Sequence, residues 1–215
     1  MTRPTSKLDS IGEKVCSYFS TEDSARETGL RLSRESIRFS ANAIRAVHRG
    51  EYDQARELID SSRANVEEMS RTLAQHGELL HGGFVHNAQK EYAEACITLA
   101  LVSGQTLPDP DELGISYAAY LNGLGEAAGE LRRHLLDTLR EGRINRCEEI
   151  LKAMDDIYSL LVTIDFHDAL TGGLRRTTDM VRGVLERTRG DFTISLRQKE
   201  LEQKLEDFGG KLNKE

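Results

Sequence analysis

Hydrophobic positions recur along the chain with the spacing of α-helices. Between Ile150 and Val162, apolar residues fall at i, i+3, i+4 and i+7, which places them on one face of a helix. Alternating runs of β-branched residues, the usual signature of strands, are missing. The sequence therefore predicts an all-α fold class with essentially no strand.

The same pattern divides the chain into six long helical segments. A capping-box pattern from Ser20 to Asp23 predicts the start of the first helix, and Gly50 ends it. The turn signal Pro108 to Asp111 precedes the fourth helix. Whether the last helix bends or breaks at Gly190 stays open. The predicted helices span about 20–49, 51–75, 84–102, 116–140, 145–164 and 171–212.

Composition narrows the class of protein. With 215 residues and only 3 Pro, the chain is expected to form a single domain, 1–215, in which residues 1–20 and 205–215 are peripheral. The longest nearly apolar stretch, Ala95 to Val102, is too short for a membrane span. The 3 cysteines are widely spaced and fit no zinc pattern. We therefore expect a soluble cytoplasmic protein with no membrane partner.

Charge limits how nucleic acid could be held. Lys plus Arg number 29 against 36 for Asp plus Glu, which gives a net charge of −7. This net charge argues against binding of nucleic acid through bulk positive charge. Any contact with phosphates therefore needs local basic stripes. Two stripes occur on predicted helices, and pairing with acidic residues of the chain is the alternative for both. The first comprises Arg31, Arg34, Arg38, Arg45 and Arg49, and the second Arg175, Arg182 and Arg189.

Two predicted helices each carry a pair of glutamates on one face. Glu91 and Glu94 are three residues apart, and Glu126 and Glu130 are four apart. Two such helices can build an oxygen-ligand site for Mg²⁺ or Mn²⁺, which activates water or stabilises a phosphate transition state. The alternative is a solvated acidic surface. Arg133 falls on the same face as Glu130.

Three glycines interrupt the helix that carries the second pair of acids. Gly123, Gly125 and Gly129 each disfavour helix by about 1 kcal/mol relative to Ala. Their concentration beside Glu126 and Glu130 suggests close approach of another backbone or of a ligand.

Four segments together resemble the translin superfamily, and within it the TRAX-like and archaeal members. The resemblance covers about residues 32–189. It is carried by LSRESIRFSANAIRAVHRGEY (32–52), AQKEYAEA (88–95), YLNGLGEAAGELRR (120–133) and DFHDALTGGLRRTTDMVRGVLERTRGD (165–191).

The resemblance implies more than the spacing does. Members of the family are all-α subunits, usually of seven helices, that form closed hollow octamers and bind single-stranded RNA or DNA. TRAX-type subunits are metal-dependent endoribonucleases, whereas translin subunits mainly bind. The acids of the TRAX motif QEYVEA correspond to Glu91 and Glu94, with Lys90 in place of Gln, and those of ADLTGEL correspond to Glu126 and Glu130.

One departure from the family pattern concerns geometry. Glu126 stands where the family usually has Asp, and the added methylene can weaken or reposition a Mg²⁺ ion. An acid is nevertheless retained, whereas translin-type subunits have an apolar residue there. Retention of all four carboxylates favours the TRAX-like, catalytic interpretation.

The leading hypothesis is a metal-dependent endoribonuclease that acts on single-stranded or short RNA inside a homo-octamer. Glu91, Glu94, Glu126 and Glu130 would hold Mg²⁺ or Mn²⁺ for in-line attack by water. RNA would contact Arg34, Arg38, Arg45, Arg49 and Arg133. The alternatives are a non-catalytic, translin-like protein that binds single-stranded RNA or DNA, and an assembly subunit whose acids are only solvated.

Overall fold

The computed structural model describes the backbone of residues 5–212 and the side chains of residues 5–208. Within that range it contains helices and no strand, so the predicted all-α fold class is confirmed. Six helices are long and three have a single turn. The long helices are α1 (Leu8–His48), α2 (Tyr52–Leu73), α4 (Gly83–Ser103), α6 (Tyr117–Arg140), α7 (Ile144–Thr163) and α9 (Leu174–Leu212), and the short ones are α3 (Gly77–Leu80), α5 (Pro110–Leu113) and α8 (Asp168–Thr171).

Helices α4 and α6 pack against each other at the centre of the bundle. Helices α1 and α2 cover α4, while α7 and α9 cover α6. Every residue of α4 from Tyr92 to Ala100 is buried, as expected of a helix that is surrounded by others. Among the acidic residues on the facing sides of α4 and α6, Glu94 is therefore buried, while Glu91, Glu126 and Glu130 are only partly exposed.

The predicted start of the first helix at Ser20 is wrong. Helix α1 begins twelve residues earlier and runs through the capping-box pattern, where the Thr21 hydroxyl donates to the Ser17 carbonyl oxygen at 3.1 Å instead of capping a helix end. The helical spacing of Leu8, Ile11 and Val15 explains the extension. These apolar side chains are exposed, which leaves the first turns of α1 outside the core.

Two smaller predictions are resolved by the structure. Helix α9 continues through Gly190 without a break, and Arg132 of α6 donates to Thr188 at 3.0 Å and to Asp191 at 2.7 Å on either side of it. The predicted turn at 108–111 leads into α5, which Asp109 caps by accepting from the backbone N–H of Glu112.

None of the described helices is both long and apolar enough to cross a membrane.

The glycines of α6 have different surroundings. A Cβ at Gly123 would lie 2.6 Å from the backbone oxygen of Lys90 and 2.8 Å from the Cβ of Ala93, so this glycine allows α6 to approach α4. A Cβ at Gly125 would collide with the side chain of Thr177 on α9. At Gly129 a Cβ would meet no heavy atom within 4 Å. Packing therefore explains the first two glycines and not the third.

We expect Gly123→Ala to destabilise the fold and Gly129→Ala to stabilise it. Alanine at 123 would force the two central helices apart, which typically costs about 1–3 kcal/mol even though alanine is the better helix former. Alanine at 129 enters open space, so it should add about 1 kcal/mol through helix propensity. Urea denaturation of the two matched variants measures both effects. Equal stabilities would show that the α4–α6 approach does not require Gly123.

Candidate metal centre

Helices α4 and α6 bring three of the four predicted acids together. Carboxylate oxygens of Glu91, Glu94 and Glu126 all lie within 4.8 Å of one another. The i, i+3 spacing puts the first two on one face of α4, and the close approach at Gly123 brings the third across from α6. Spacing along the sequence predicted the two pairs of acids. The packing of α4 against α6 brings Glu126, from the second pair, next to Glu91 and Glu94.

Burial makes this cluster electrostatically costly. Glu94 is only 8% exposed. Burial, and then the neighbouring charges of Glu91, Glu126 and Glu130, raises the pKa of Glu94 from 4.5 to about 8, against the opposing effect of Lys90. Burial also raises the pKa of Glu91. Carboxylates arranged in this way are stabilised when a cation lies among them.

A lysine already supplies part of that positive charge. The Lys90 Nζ donates to Glu126 Oε1 at 2.6 Å and lies 3.5 Å from Glu91 Oε1. Burial lowers the pKa of the ammonium, but the hydrogen bond to Glu126 and the charges of Glu126, Glu91 and Glu94 together raise it by more, so the net shift is upward. Lys90 is therefore a charged member of the cluster.

The fourth predicted acid, Glu130, has a partner of its own. Its Oε2 lies 2.5 Å from Nε2 of His48, which comes from the last turn of α1 and has a side chain that is 4% exposed. Because a carboxylate accepts, the imidazole Nε2–H is the donor. This hydrogen bond lowers the pKa of Glu130, and the charge of Arg133 acts in the same direction. Glu130 is therefore held as an anion beside the cluster of three.

The residues present fit a hard divalent cation. The donors are all carboxylate oxygens from side chains, which is the ligand type that Mg²⁺ and Mn²⁺ prefer. Glu94 is buried, and its charge is offset only partly by Lys90. A cation held by Glu91, Glu94 and Glu126 would remove the repulsion among them.

The predicted RNA-contacting arginines lie on the surface. Arg34, Arg38, Arg45 and Arg133 are exposed, and the Arg38 guanidinium lies 5.2 Å from the ring centroid of Phe39. In contrast, Arg49 donates to Glu51 at 2.7 Å and to Gln54 at 3.2 Å. Arg45 likewise donates to the Asn42 side chain at 2.7 Å. Arg34, Arg38 and Arg133 are thus placed to meet a ligand from solvent, whereas Arg45 and Arg49 already have side-chain partners.

The second basic stripe, on α9, is paired with acids of the chain. Arg189 donates to Asp155 on α7 at 2.9 Å, and Arg182 lies 3.6 Å from Asp179. Arg175 lies 3.7 Å from Asp165. Intramolecular pairing, one of the two interpretations that the sequence left open, accounts for this stripe.

Sequence reasoning missed the roles of Lys90 and His48. Lys90 precedes Glu91 directly and was visible only as a departure from a family motif. Its contact with Glu126 depends on how α6 lies against α4. His48 is 82 positions from Glu130, and nothing in the local pattern links them. The one available signal was that each lies on a predicted helix among charged residues.

The fold and the site define a class of all-α helical bundles with a buried cluster of carboxylates between two central helices. Solved structures with the same fold indicate which family has this architecture. A solved structure of AfC3PO in complex with duplex RNA has a TM-score of 0.80 and 29% identity, and covers 86% of this chain and 96% of that one. A structure of AfC3PO itself has a TM-score of 0.79 and 30% identity, over 86% of this chain and 97% of that one.

A more distant solved structure and a relative found by sequence also resemble this chain over most of its length. Apo-NeC3PO, with 20% identity and a TM-score of 0.76 over 91% of this chain and 99% of that one, shares the fold. The uncharacterized protein MJ0175 of Methanocaldococcus jannaschii is 30% identical over 193 residues, which are 89% of this chain and 85% of the relative. No protein-family model matches the chain. The chain belongs to the translin superfamily.

Proposed function

We propose that the protein is a metal-dependent endoribonuclease that cleaves single-stranded or short RNA within a closed homo-oligomer. One observation carries the proposal: three glutamates from two helices, one buried and two partly buried, place carboxylate oxygens within 4.8 Å of one another. Buried acids are costly unless they are paired or bind a cation. Acids whose pKa values are shifted in this way tend to occur at functional sites.

Glu91, Glu94 and Glu126 would hold Mg²⁺ or Mn²⁺. A cation bound there supplies an activated water and stabilises negative charge on phosphate. The chain's own contribution is to fix three oxygen donors on two helices that cannot separate easily, since Gly123 lets their backbones touch. Ligands on packed helices keep their positions better than ligands on loops.

Glu130 and Arg133 have supporting roles in this proposal. The His48 Nε2–H fixes the Glu130 carboxylate and keeps it ionised, so it would orient a water molecule next to the cluster by accepting a hydrogen bond from it. Arg133, exposed on the same helix one turn further on, would steady a phosphate oxygen.

The RNA substrate would reach an acidic protein through local positive charge. AfC3PO has been solved in complex with duplex RNA. Short duplexes should therefore be assayed as substrates beside single strands. We propose a homo-octamer as the functional unit, a number that rests on the resemblance to the translin superfamily. Light scattering should then report eight times the 24.1 kDa of one chain.

Replacing Arg38 and Arg45 together with Ala should weaken RNA binding and flatten its dependence on salt. Each lost phosphate contact removes about 0.7 units of the log–log salt slope on single strands and about 0.9 on a duplex. Arg175 and Arg182, which already pair with acids of the chain, provide a matched double replacement that should change the slope less. Fluorescence anisotropy over a salt series measures both. An unchanged slope in the first variant would remove this surface from the RNA interface.

A cleavage assay tests the proposed activity. Purified protein is given labelled RNA, single-stranded or duplex, with Mg²⁺, Mn²⁺ or EDTA. Cleavage that requires metal supports the proposal.

The second candidate function is RNA or DNA binding without catalysis, and it is favoured by the ammonium of Lys90, which already neutralises Glu126. Binding without cleavage under every metal condition would establish that alternative.

A further inference from the structure

Lys90 places a positive charge against two of the three carboxylates of the cluster. Its Nζ is 2.6 Å from Glu126 Oε1 and 3.5 Å from Glu91 Oε1, so it bridges the carboxylates of α6 and α4. Glu94, the most buried of the three acids, also feels its charge. The lysine side chain is 18% exposed.

We propose that Lys90 is a tethered counter-cation that competes with the divalent metal for Glu126 and Glu91, and so sets the metal affinity of the site. The inference rests on the proposed function, since it takes these carboxylates as metal ligands. It goes further in assigning to one residue a control over when the site is loaded.

The competition follows from charge and from shared atoms. The ammonium and the metal would share the Glu126 carboxylate, so negative charge that one of them draws on is less available to the other, and the hydrogen bond from Lys90 weakens. A divalent ion also repels an ammonium a few ångströms away, and this repulsion is strong where little water screens it. Metal binding therefore favours movement of the Lys90 ammonium away from the cluster.

Tethering makes the lysine an effective competitor. Its ammonium is held on the residue next to Glu91, so it acts at a high local concentration that no dilution removes. Without metal, it reduces the repulsion among the three acids and so stabilises the folded protein. With metal, the same contact is a cost that the ion has to overcome. The net result is a stable metal-free site and a weakened affinity for metal.

The alternative is that Lys90 is only a structural tie between α4 and α6. A structural tie and a competitor make opposite predictions for metal binding. Loss of a tie loosens the site, so metal should bind no better or more weakly. Loss of a competitor should make metal bind more tightly. Metal affinity therefore separates the two roles, which a measurement of stability alone cannot do.

The decisive experiment is calorimetric titration of MnCl₂ alone into wild type and Lys90→Gln, with no RNA present. The matched control is Lys152→Gln, which removes an equivalent contact, from Nζ to Asp156 at 2.8 Å, on the exposed side of α7. We expect the dissociation constant for Mn²⁺ to fall at least tenfold in Lys90→Gln, equivalent to about 1.4 kcal/mol. It should stay unchanged in Lys152→Gln.

Two further measurements keep the result interpretable. In EDTA, Lys90→Gln should melt at a lower temperature than Lys152→Gln, because the acids then lack their counter-cation. If Lys90→Gln does not fold, Lys90→Met, which keeps the apolar stem, takes its place. Lys90→Arg keeps the charge and should bind Mn²⁺ no more than a few-fold differently from wild type.

The outcomes separate this inference from the proposed function. A tighter constant for Mn²⁺ in Lys90→Gln supports competition, including the case in which only the variant binds measurably. Equal or weaker binding in the variant overturns competition and leaves the metal site standing. If neither wild type nor any Lys90 variant binds Mn²⁺ or Mg²⁺, both the metal site and the competition are overturned.

Discussion

Glu94→Gln should abolish metal-dependent RNA cleavage while the protein stays folded, oligomeric and able to bind RNA. Glu94 is the most buried member of the acidic cluster, and Gln has nearly the same shape but no charge. Changes in residues that only support metal ligands typically cost 10–100-fold in affinity or activity. Loss of a ligand itself should cost at least about 100-fold in cleavage rate.

The same variant should lose the stabilisation that metal gives to the wild type. A ligand that binds only the folded state stabilises it by about 2.7 kcal/mol at a hundredfold excess over its dissociation constant. Wild type should therefore unfold at a higher denaturant concentration when Mn²⁺ is added, and Glu94→Gln should not. Glu126→Gln should behave alike, and the two losses should be non-additive because the acids act on one ion.

Glu57→Gln is the matched control for both measurements. It makes the same change of charge at an exposed position on α2, so cleavage and the Mn²⁺ response should remain. Light scattering and anisotropy check that all variants keep the oligomer size and RNA binding of the wild type. Normal cleavage by Glu94→Gln, together with a wild type that does not respond to Mn²⁺, would refute the metal site and leave the binding function in its place.

Long helices were predictable because their signal is local. Periodic apolar residues specify where each of the six long helices lies, and five of them start and end within a few residues of the predicted limits. The start of α1 was misplaced because a capping-box pattern also occurs inside helices, where a hydroxyl can bond back to a carbonyl four residues earlier. The single-turn helices were not predicted, since four residues carry no period.

The candidate site was predictable in its members but not in its arrangement. Helical spacing paired Glu91 with Glu94 and Glu126 with Glu130, and family resemblance selected the same four residues. Which of them meet depends on how α6 lies on α4, and that is decided by contacts such as Gly123 against Lys90. Packing also decides that Glu130 turns to His48 and that Lys90 turns to Glu126.

Glu94 should make the stability of the metal-free protein fall as the pH rises. Its pKa is raised from 4.5 to about 8 in the folded state, chiefly by burial and by the charges of Glu91, Glu126 and Glu130, with Lys90 opposing. Between these two values the folded state keeps a proton that the unfolded state releases. The folded state therefore binds more protons, and the free energy of unfolding decreases as the pH increases through this window.

Comparison of wild type with Glu94→Gln in EDTA isolates this effect. At pH 5 the difference between the two proteins should be smallest, because the pH is then only about half a unit above the pKa of 4.5 at which the unfolded state begins to lose the proton that the folded state keeps. Towards pH 8 the variant should become the more stable, by at most about 1.4 kcal/mol for each pH unit crossed. Glu57→Gln, measured in the same buffers, should keep the pH dependence of the wild type.

Metal should reverse that ordering, which ties the pH effect to the proposed function. Mn²⁺ binds the ionised carboxylate, so its stabilisation of the wild type should grow from pH 5 to pH 8 while the variant gains little. At pH 8 with saturating Mn²⁺, the wild type should therefore recover the stability that it lost on deprotonation. Urea midpoints at three pH values, with Mn²⁺ and with EDTA, measure the whole pattern. A difference between wild type and variant that is constant with pH would show that Glu94 ionises as an ordinary surface acid does.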